Sequence, residues 1–211
     1  MFYLIGINSG NFVAFFEIKN LSCQKGFNIL FKEINFTAQN SEIVQIKGVN
    51  EKGKTSLLKI LSGLSLPDSG HISFNNMLSE SDEYQKNILY LGHATSISVD
   101  LKVIENLEYL RLLNNTDLNL HSIYALKKLG LANFQDEFCL NLSAGQKRRV
   151  ILSMLVLSKS KVWLLDEPFT ALDSLGIELI ENLIKQHSDN GGICFFTSHQ
   201  ASSLKVKELV L

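Results

Sequence analysis

Cysteine is scarce and scattered in this chain of 211 residues. Cys23, Cys139 and Cys194 form no C-x-x-C pair and no metal-ligand spacing, which points to buried, reduced thiols and fits a cytosolic compartment. Neither sign of charge is in excess: 20 Lys and Arg face 21 Asp and Glu, so the basic footprint of a nucleic-acid binder is missing. No apolar run approaches the roughly 20 residues that span a bilayer. The apolar stretch 1–16 has no basic start and no small-residue cleavage site, against a signal peptide. It reads as a loose extension ahead of the first strand. Internal repeats and low-complexity linkers are also absent. What remains is an apolar content of 45%, enough for a real core and for one domain over residues 1–211.

The most informative stretch is Gly48-Val49-Asn50-Glu51-Lys52-Gly53-Lys54-Thr55, which fits the phosphate-binding pattern G-x-x-x-x-G-K-[ST]. A loop of this length wraps a di- or triphosphate with backbone N–H groups. Gly48 and Gly53 let the main chain come close and adopt positive φ. Lys54 reaches the β- and γ-phosphates, and Thr55 offers its hydroxyl to Mg²⁺. The flanks suit the motif. Ile43-Val44-Gln45-Ile46 reads as a strand, and Ser56-Leu57-Leu58-Lys59-Ile60-Leu61 reads as a helix starting near Lys54. That helix aims its positive end at the phosphates. Glu51 stands where such loops often carry a third glycine. Either Lys52 beside it offsets the carboxylate, or Glu51 points outward.

Before the loop, residues 17–46 alternate with turn punctuation and read as a small, mostly antiparallel sheet. In ATP-binding domains an aromatic of such a sheet often stacks on adenine. Phe27 is the candidate, the alternative being an ordinary loop or core aromatic. After the loop, His71-Ile72-Ser73-Phe74 and Leu89-Tyr90-Leu91 read as strands, the second ending at Gly92-His93. Residues 101–156 turn helical, with Ile104, Leu107, Leu110 and Leu113 on one face and Ile123, Leu126 and Leu129 on another. Ser143 is a plausible N-cap for the helix carrying Lys147-Arg148-Arg149, which taken blandly is a solvated cationic turn.

Val162-Trp163-Leu164-Leu165 is an unbroken apolar run, as for a strand buried on both faces of a parallel sheet. It ends in Asp166-Glu167, at the strand end where open α/β sheets bind ligands. Asp166 there holds Mg²⁺ directly or through water, and Glu167 takes a proton from the water attacking a γ-phosphate. Ile193-Cys194-Phe195-Phe196-Thr197 is a further buried strand. His199 follows it, on the side where the phosphate loop opens. His71, His121 and His187 read as structural.

Together these features resemble the ATP-binding subunits of ABC transporters, over nearly the whole chain from about residue 17. Residues 48–55 look like the Walker A loop. Leu142-Ser143-Ala144-Gly145-Gln146 looks like the signature motif, 162–167 like Walker B with the catalytic glutamate, Ala171-Leu172-Asp173 like the D-loop, and His199 like the switch histidine. The resemblance implies an α/β fold of ABC ATPase type. It has a parallel-sheet nucleotide-binding core, an N-terminal antiparallel β subdomain and a helical subdomain at about 94–157. It also implies ATP and Mg²⁺ as ligands and an ATP-dependent homodimer, in which Ser143, Gly145 and Gln146 meet the partner's nucleotide. The family's usual Mg²⁺-contacting glutamine is replaced by Gly92-His93, which makes His93 a candidate metal contact. Tyr90-Leu91-Gly92-His93, the LSAGQ motif with Arg148-Arg149-Val150, and the Ser198-His199-Gln200 ending resemble the haem exporter subunit of cytochrome c maturation. That resemblance implies a peripheral protein on the cytoplasmic face of the inner membrane, working with integral membrane subunits and, indirectly, a haem chaperone. A cassette serving another exporter and a soluble ABC-type ATPase are the alternatives.

Overall fold

Side chains alternate across a strand, so a strand covered on both faces is apolar at every position. The structure, a computed structural model, describes residues 15–48, 51–93 and 97–211, without the side chains of Glu51 and Lys52. Its central sheet follows that rule. β7 (Val162–Leu165) and β8 (Ile193–Thr197) are buried at every residue. Val162, Leu164 and Phe195 point into one core, whereas Trp163, Leu165 and Phe196 point into the other. With β3 (Ile43–Lys47), β6 (Ile88–Leu91) and β9 (Lys207–Val210) they form a five-stranded sheet in the order β6-β7-β8-β3-β9. All four pairings are parallel.

One face of this sheet carries α1 (Glu51–Leu61) and a second, antiparallel sheet of order β2-β1-β4-β5. The long strands β1 (Phe15–Lys25) and β2 (Asn28–Gln39) form a bulged hairpin, and β4 (Ser69–Phe74) and β5 (Met77–Leu78) extend it. α2 (Asp82–Gln85) leads into β6. The other face carries α3 (Val103–Leu112), α4 (Ser122–Lys128), α5 (Ala144–Leu152) and α6 (Met154–Leu157), together with α7 (Ser174–Asp189).

Several sequence expectations are corrected. Ile43 to Lys47 belongs to the parallel sheet, because β3 pairs with β8 and β9 rather than with the hairpin. The first strand begins inside the supposed extension: Phe16 is wholly buried in β1, pairing with Phe74. Residues 1–14 lie outside the described residues. Leu113 and Ile123 do not face the core. Leu113 is the C-cap beyond the last turn of α3, and the buried face of α4 is Ser122, Ala125 and Leu126. The strand β9 has no counterpart in the sequence reading. The three cysteines are free and buried, as expected.

Candidate functional site

Parallel strands bring their carboxyl ends to one edge, and that edge is where the motifs meet. β3 runs into the 48–55 loop, β6 into Gly92-His93, β7 into Asp166-Glu167, and β8 into Ser198-His199. Lys54, Thr55, His93, Asp166, Glu167 and His199 all line one open cleft of ≈ 730 Å³.

Asp166 is buried, and both of its carboxylate oxygens are held. Thr55 Oγ1 donates to Oδ2 at 2.9 Å, and Thr197 Oγ1 donates to Oδ1 at 2.9 Å. Thr197 also accepts the Glu167 N–H at 2.8 Å. Glu167 needs that support, since its φ of 51° is left-handed, a region that disfavours residues with a Cβ by about 1–2 kcal/mol. Its carboxylate turns to His199. The His199 N–H donates to Oε2 at 3.3 Å, and His199 Nε2 lies 3.4 Å from Oε1. Lys54, 5% exposed at the start of α1, brings Nζ to 3.5 Å from the same Nε2. Lysine, glutamate and histidine thus form one polar chain across the cleft.

The basic triplet is not a solvated turn. Arg148 is only 4% exposed. It donates to Gly92 O at 2.8 Å, Asp166 O at 2.8 Å and Glu167 O at 2.9 Å. Burial lowers its pKa from the usual guanidinium value, and the negative charges of Asp166 and Glu167 oppose that shift. Tyr90, beside it in the cleft wall, is pushed up to about 12 by burial and then by the Asp166 carboxylate. Arg149 bonds Asp173, the N-cap of α7, at 2.6 Å. Sequence reasoning missed Arg148 and Thr197. The usable signals were positional. Arg148 lies one turn before Ile151 and Leu152 on the buried face of α5, and Thr197 shares a strand face with Ile193 and Phe195.

Ser143 caps α5 as expected. Its Oγ accepts the Gln146 N–H at 3.2 Å, while Gln146 Oε1 accepts the Ser143 N–H at 2.8 Å, a reciprocal capping box. Gly145 sits where a Cβ would lie 2.6 Å from Ala171 O. Ser143, Gly145 and Gln146 are not among the described residues lining the Lys54 cleft, and neither is Phe27. Phe27 stands fully exposed at the β1–β2 turn, so the core alternative falls away. Gly53 is helical and buried within α1, so the positive φ expected there is not adopted. Val49 and Asn50 lie outside the described residues, as do the side chains of Glu51 and Lys52. Of the three histidines read as structural, His187 stacks on Trp163 with ring centroids 3.8 Å apart, whereas His71 and His121 are exposed.

The sequence model of the ABC transporter family matches residues 31–170. The chain is 42% identical to the cytochrome c biogenesis ATP-binding export protein CcmA of Histophilus somni, over 87% of this chain and 86% of that protein. It is 39% identical to the CcmA of Aliivibrio fischeri, over 92% of this chain and 96% of that one. Among solved structures, a putative ABC transporter ATP-binding protein from Pyrococcus furiosus superposes with a TM-score of 0.80 at 24% identity, covering 93% of this chain and 97% of that one. The ATP-binding cassette MJ0796, solved as a dimer in a post-hydrolysis state with ADP and Pi, superposes with a TM-score of 0.75 at 24% identity, over 88% of both chains. The chain therefore belongs to the ABC transporter family, as an ATP-binding ATPase cassette among the export proteins of cytochrome c biogenesis.

Proposed function

We propose that this cassette hydrolyses ATP to drive a membrane complex of c-type cytochrome biogenesis, energising haem export or the release of a haem-loaded chaperone. The observation that carries the reading is the convergence of Lys54, Thr55, Asp166, Glu167 and His199 on one cleft. Lys54 binds the β- and γ-phosphates. Glu167 accepts the proton of the water that attacks the γ-phosphorus, as the bond to the β,γ-bridging oxygen breaks. His199, in reach of both Glu167 and Lys54, orients the carboxylate and the γ-phosphate. Catalysis is then mainly positioning and charge stabilisation.

Mg²⁺ takes one or two carboxylates, phosphate oxygens and water. The hydroxyl of Thr55 and the Asp166 carboxylate, adjacent at 2.9 Å, suit that donor set, and His93 lines the same cleft. When bound, the ion neutralises charge developing on the β- and γ-phosphate oxygens.

The separation of Ser143, Gly145 and Gln146 from that cleft supports a head-to-tail homodimer, each chain offering its α5 N-terminus to the partner's nucleotide. Phe27 at the exposed hairpin tip is the proposed adenine contact. The helical subdomain at about 94–157 is the proposed dock for the integral membrane subunits. In support, α3 leaves Tyr109 and Leu112 exposed opposite its buried face. Among the described residues no helix is long and apolar enough to cross a membrane. The proposed place of the chain is a peripheral one, on the cytoplasmic face of the inner membrane. Affinity capture of the tagged protein from gently solubilised membranes tests the assignment. Integral membrane subunits of cytochrome c maturation are expected to co-purify. A different permease would discard haem but keep the ATPase, and a chain recovered without membrane partners would refute the transport reading.

A further inference from the structure

Arg148 ties the ends of two strands of the parallel sheet to α5. Its guanidinium reaches the main chain at the end of β6 through Gly92 and at the end of β7 through Asp166 and Glu167. Its own backbone lies in the second turn of α5, the helix capped by Ser143. The two carbonyls it grips just beyond β7 flank the left-handed Cα of Glu167. On the opposite edge of the 166–167 peptide, Thr197 accepts the Glu167 N–H. The 166–167 peptide is therefore held on both edges, by Arg148 and Thr197, and the carbonyl of the next peptide accepts from Arg148 and from the Thr170 N–H. A carboxylate on a left-handed residue is aimed by its backbone, so a small rotation of these peptides swings it away from His199.

We infer that Arg148 is a positioning residue that makes the aim of Glu167 depend on the seat of the signature helix. The inference rests on the dimer reading given above. In that dimer, the Ser143 end of α5 touches the nucleotide of one composite site, while Arg148 on the same helix steadies the glutamate of the other. A shift of α5 on nucleotide engagement is then transmitted through one rigid, planar side chain to the opposite carboxylate, and the two sites fire together. Arginine suits the task because its planar fork holds one nitrogen towards Gly92 and the other towards Asp166 and Glu167 in fixed directions, whereas an ammonium is a point charge on a flexible stem.

The test compares Arg148→Lys and Arg148→Gln with the wild type, using the full chain. ATP binding, steady-state hydrolysis against ATP concentration, and ATP-dependent dimerisation in a Glu167→Gln background are measured. Expected for Arg148→Gln are ATP affinity within about twofold, retained dimerisation, and kcat down by roughly tenfold to a hundredfold, the scale of a misplaced catalytic group. Its Hill coefficient falls towards 1, and Arg148→Lys recovers part of kcat. Wild-type turnover in Arg148→Gln, or ATP affinity lost in step with kcat, overturns the role. A lowered kcat with an unchanged Hill coefficient overturns the link between the sites. If Arg148→Gln does not fold, Arg148→Lys decides: a reduced kcat at unchanged affinity supports the inference, and wild-type turnover defeats it. A wild type that neither hydrolyses ATP nor dimerises as Glu167→Gln refutes the ATPase dimer itself, and this inference falls with it.

Discussion

Gly145 packs so closely under Ala171 that a Cβ at residue 145 would lie 2.6 Å from the Ala171 carbonyl oxygen. Alanine is the better helix former by about 1 kcal/mol, so propensity alone favours Gly145→Ala. The contact reverses that preference. Ala171 is itself left-handed at φ 64°, and the loop it sits in is tied down where Arg149 bonds Asp173. Overpacking of this kind costs about 1–3 kcal/mol. Gly145→Ala is expected to be less stable in urea without nucleotide, a condition that isolates this contact from any role towards a partner's phosphate. Equal or greater stability would show that the loop gives way freely.

Thr197→Val removes a donor to the buried Asp166 carboxylate and an acceptor for the Glu167 N–H at once. Each orphaned buried group costs about 1–3 kcal/mol. The variant is expected to lose about 2 kcal/mol or more and most of its ATPase activity. Thr197→Ser keeps both bonds and should stay near wild type. Equal denaturation midpoints for the valine and serine variants would show that the hydroxyl is dispensable.

His187 gives the protein an acid sensitivity unrelated to catalysis. Burial against Trp163 lowers its pKa from 6.5 to about 4, partly opposed by the nearby backbone at Ile193 and Lys161. The folded state keeps the ring neutral where the unfolded chain already takes a proton. Stability therefore falls as pH drops through 6.5 towards 4, and above 6.5 this residue adds no pH dependence. Between pH 7 and pH 5 the loss is about 2 kcal/mol. Urea unfolding of wild type and His187→Phe at both pH values should show a smaller drop in the variant. Identical drops would mean that the ring titrates normally.

Lys54 and Glu167 share a cleft, yet their substitution should separate binding from chemistry. Lys54→Ala is expected to lose ATP binding itself, read by equilibrium binding of a fluorescent ATP analogue. Undiminished affinity would sink the phosphate-loop assignment. Glu167→Gln is expected to keep binding, lose turnover and accumulate a nucleotide-bound dimer on size exclusion. Hydrolysis at the normal rate would remove Glu167 as the base.

The legible part of the site was the part whose chemistry demands a residue type at a fixed spacing. Lys54-Thr55, Asp166-Glu167 and His199 could be singled out because each stands in or beside a motif that follows a predicted strand, and the structure gathers them on one cleft. The uninterrupted apolar runs of β7 and β8 likewise announced a doubly covered sheet. Arg148 was illegible because its acceptors are backbone carbonyls, which no sequence pattern marks. Thr197 was hidden as the last member of an apolar strand, its value set by Asp166 on the neighbouring strand. The strand β9 was too short and too exposed to stand out, with only Leu209 buried among its four residues. Leu113 failed because periodicity does not show where a helix ends.

The strand that launches the phosphate loop is sandwiched between β8 and β9. Those partners come from residues 193–197 and 207–210, far downstream of 43–47. On the ribosome, β3 and the loop behind it are therefore made early and wait without sheet neighbours until almost the whole described chain has followed. A nascent chain halted anywhere in the helical region carries every residue of the phosphate loop and none of the strands that flank β3. Nucleotide capture should accordingly begin only late in synthesis.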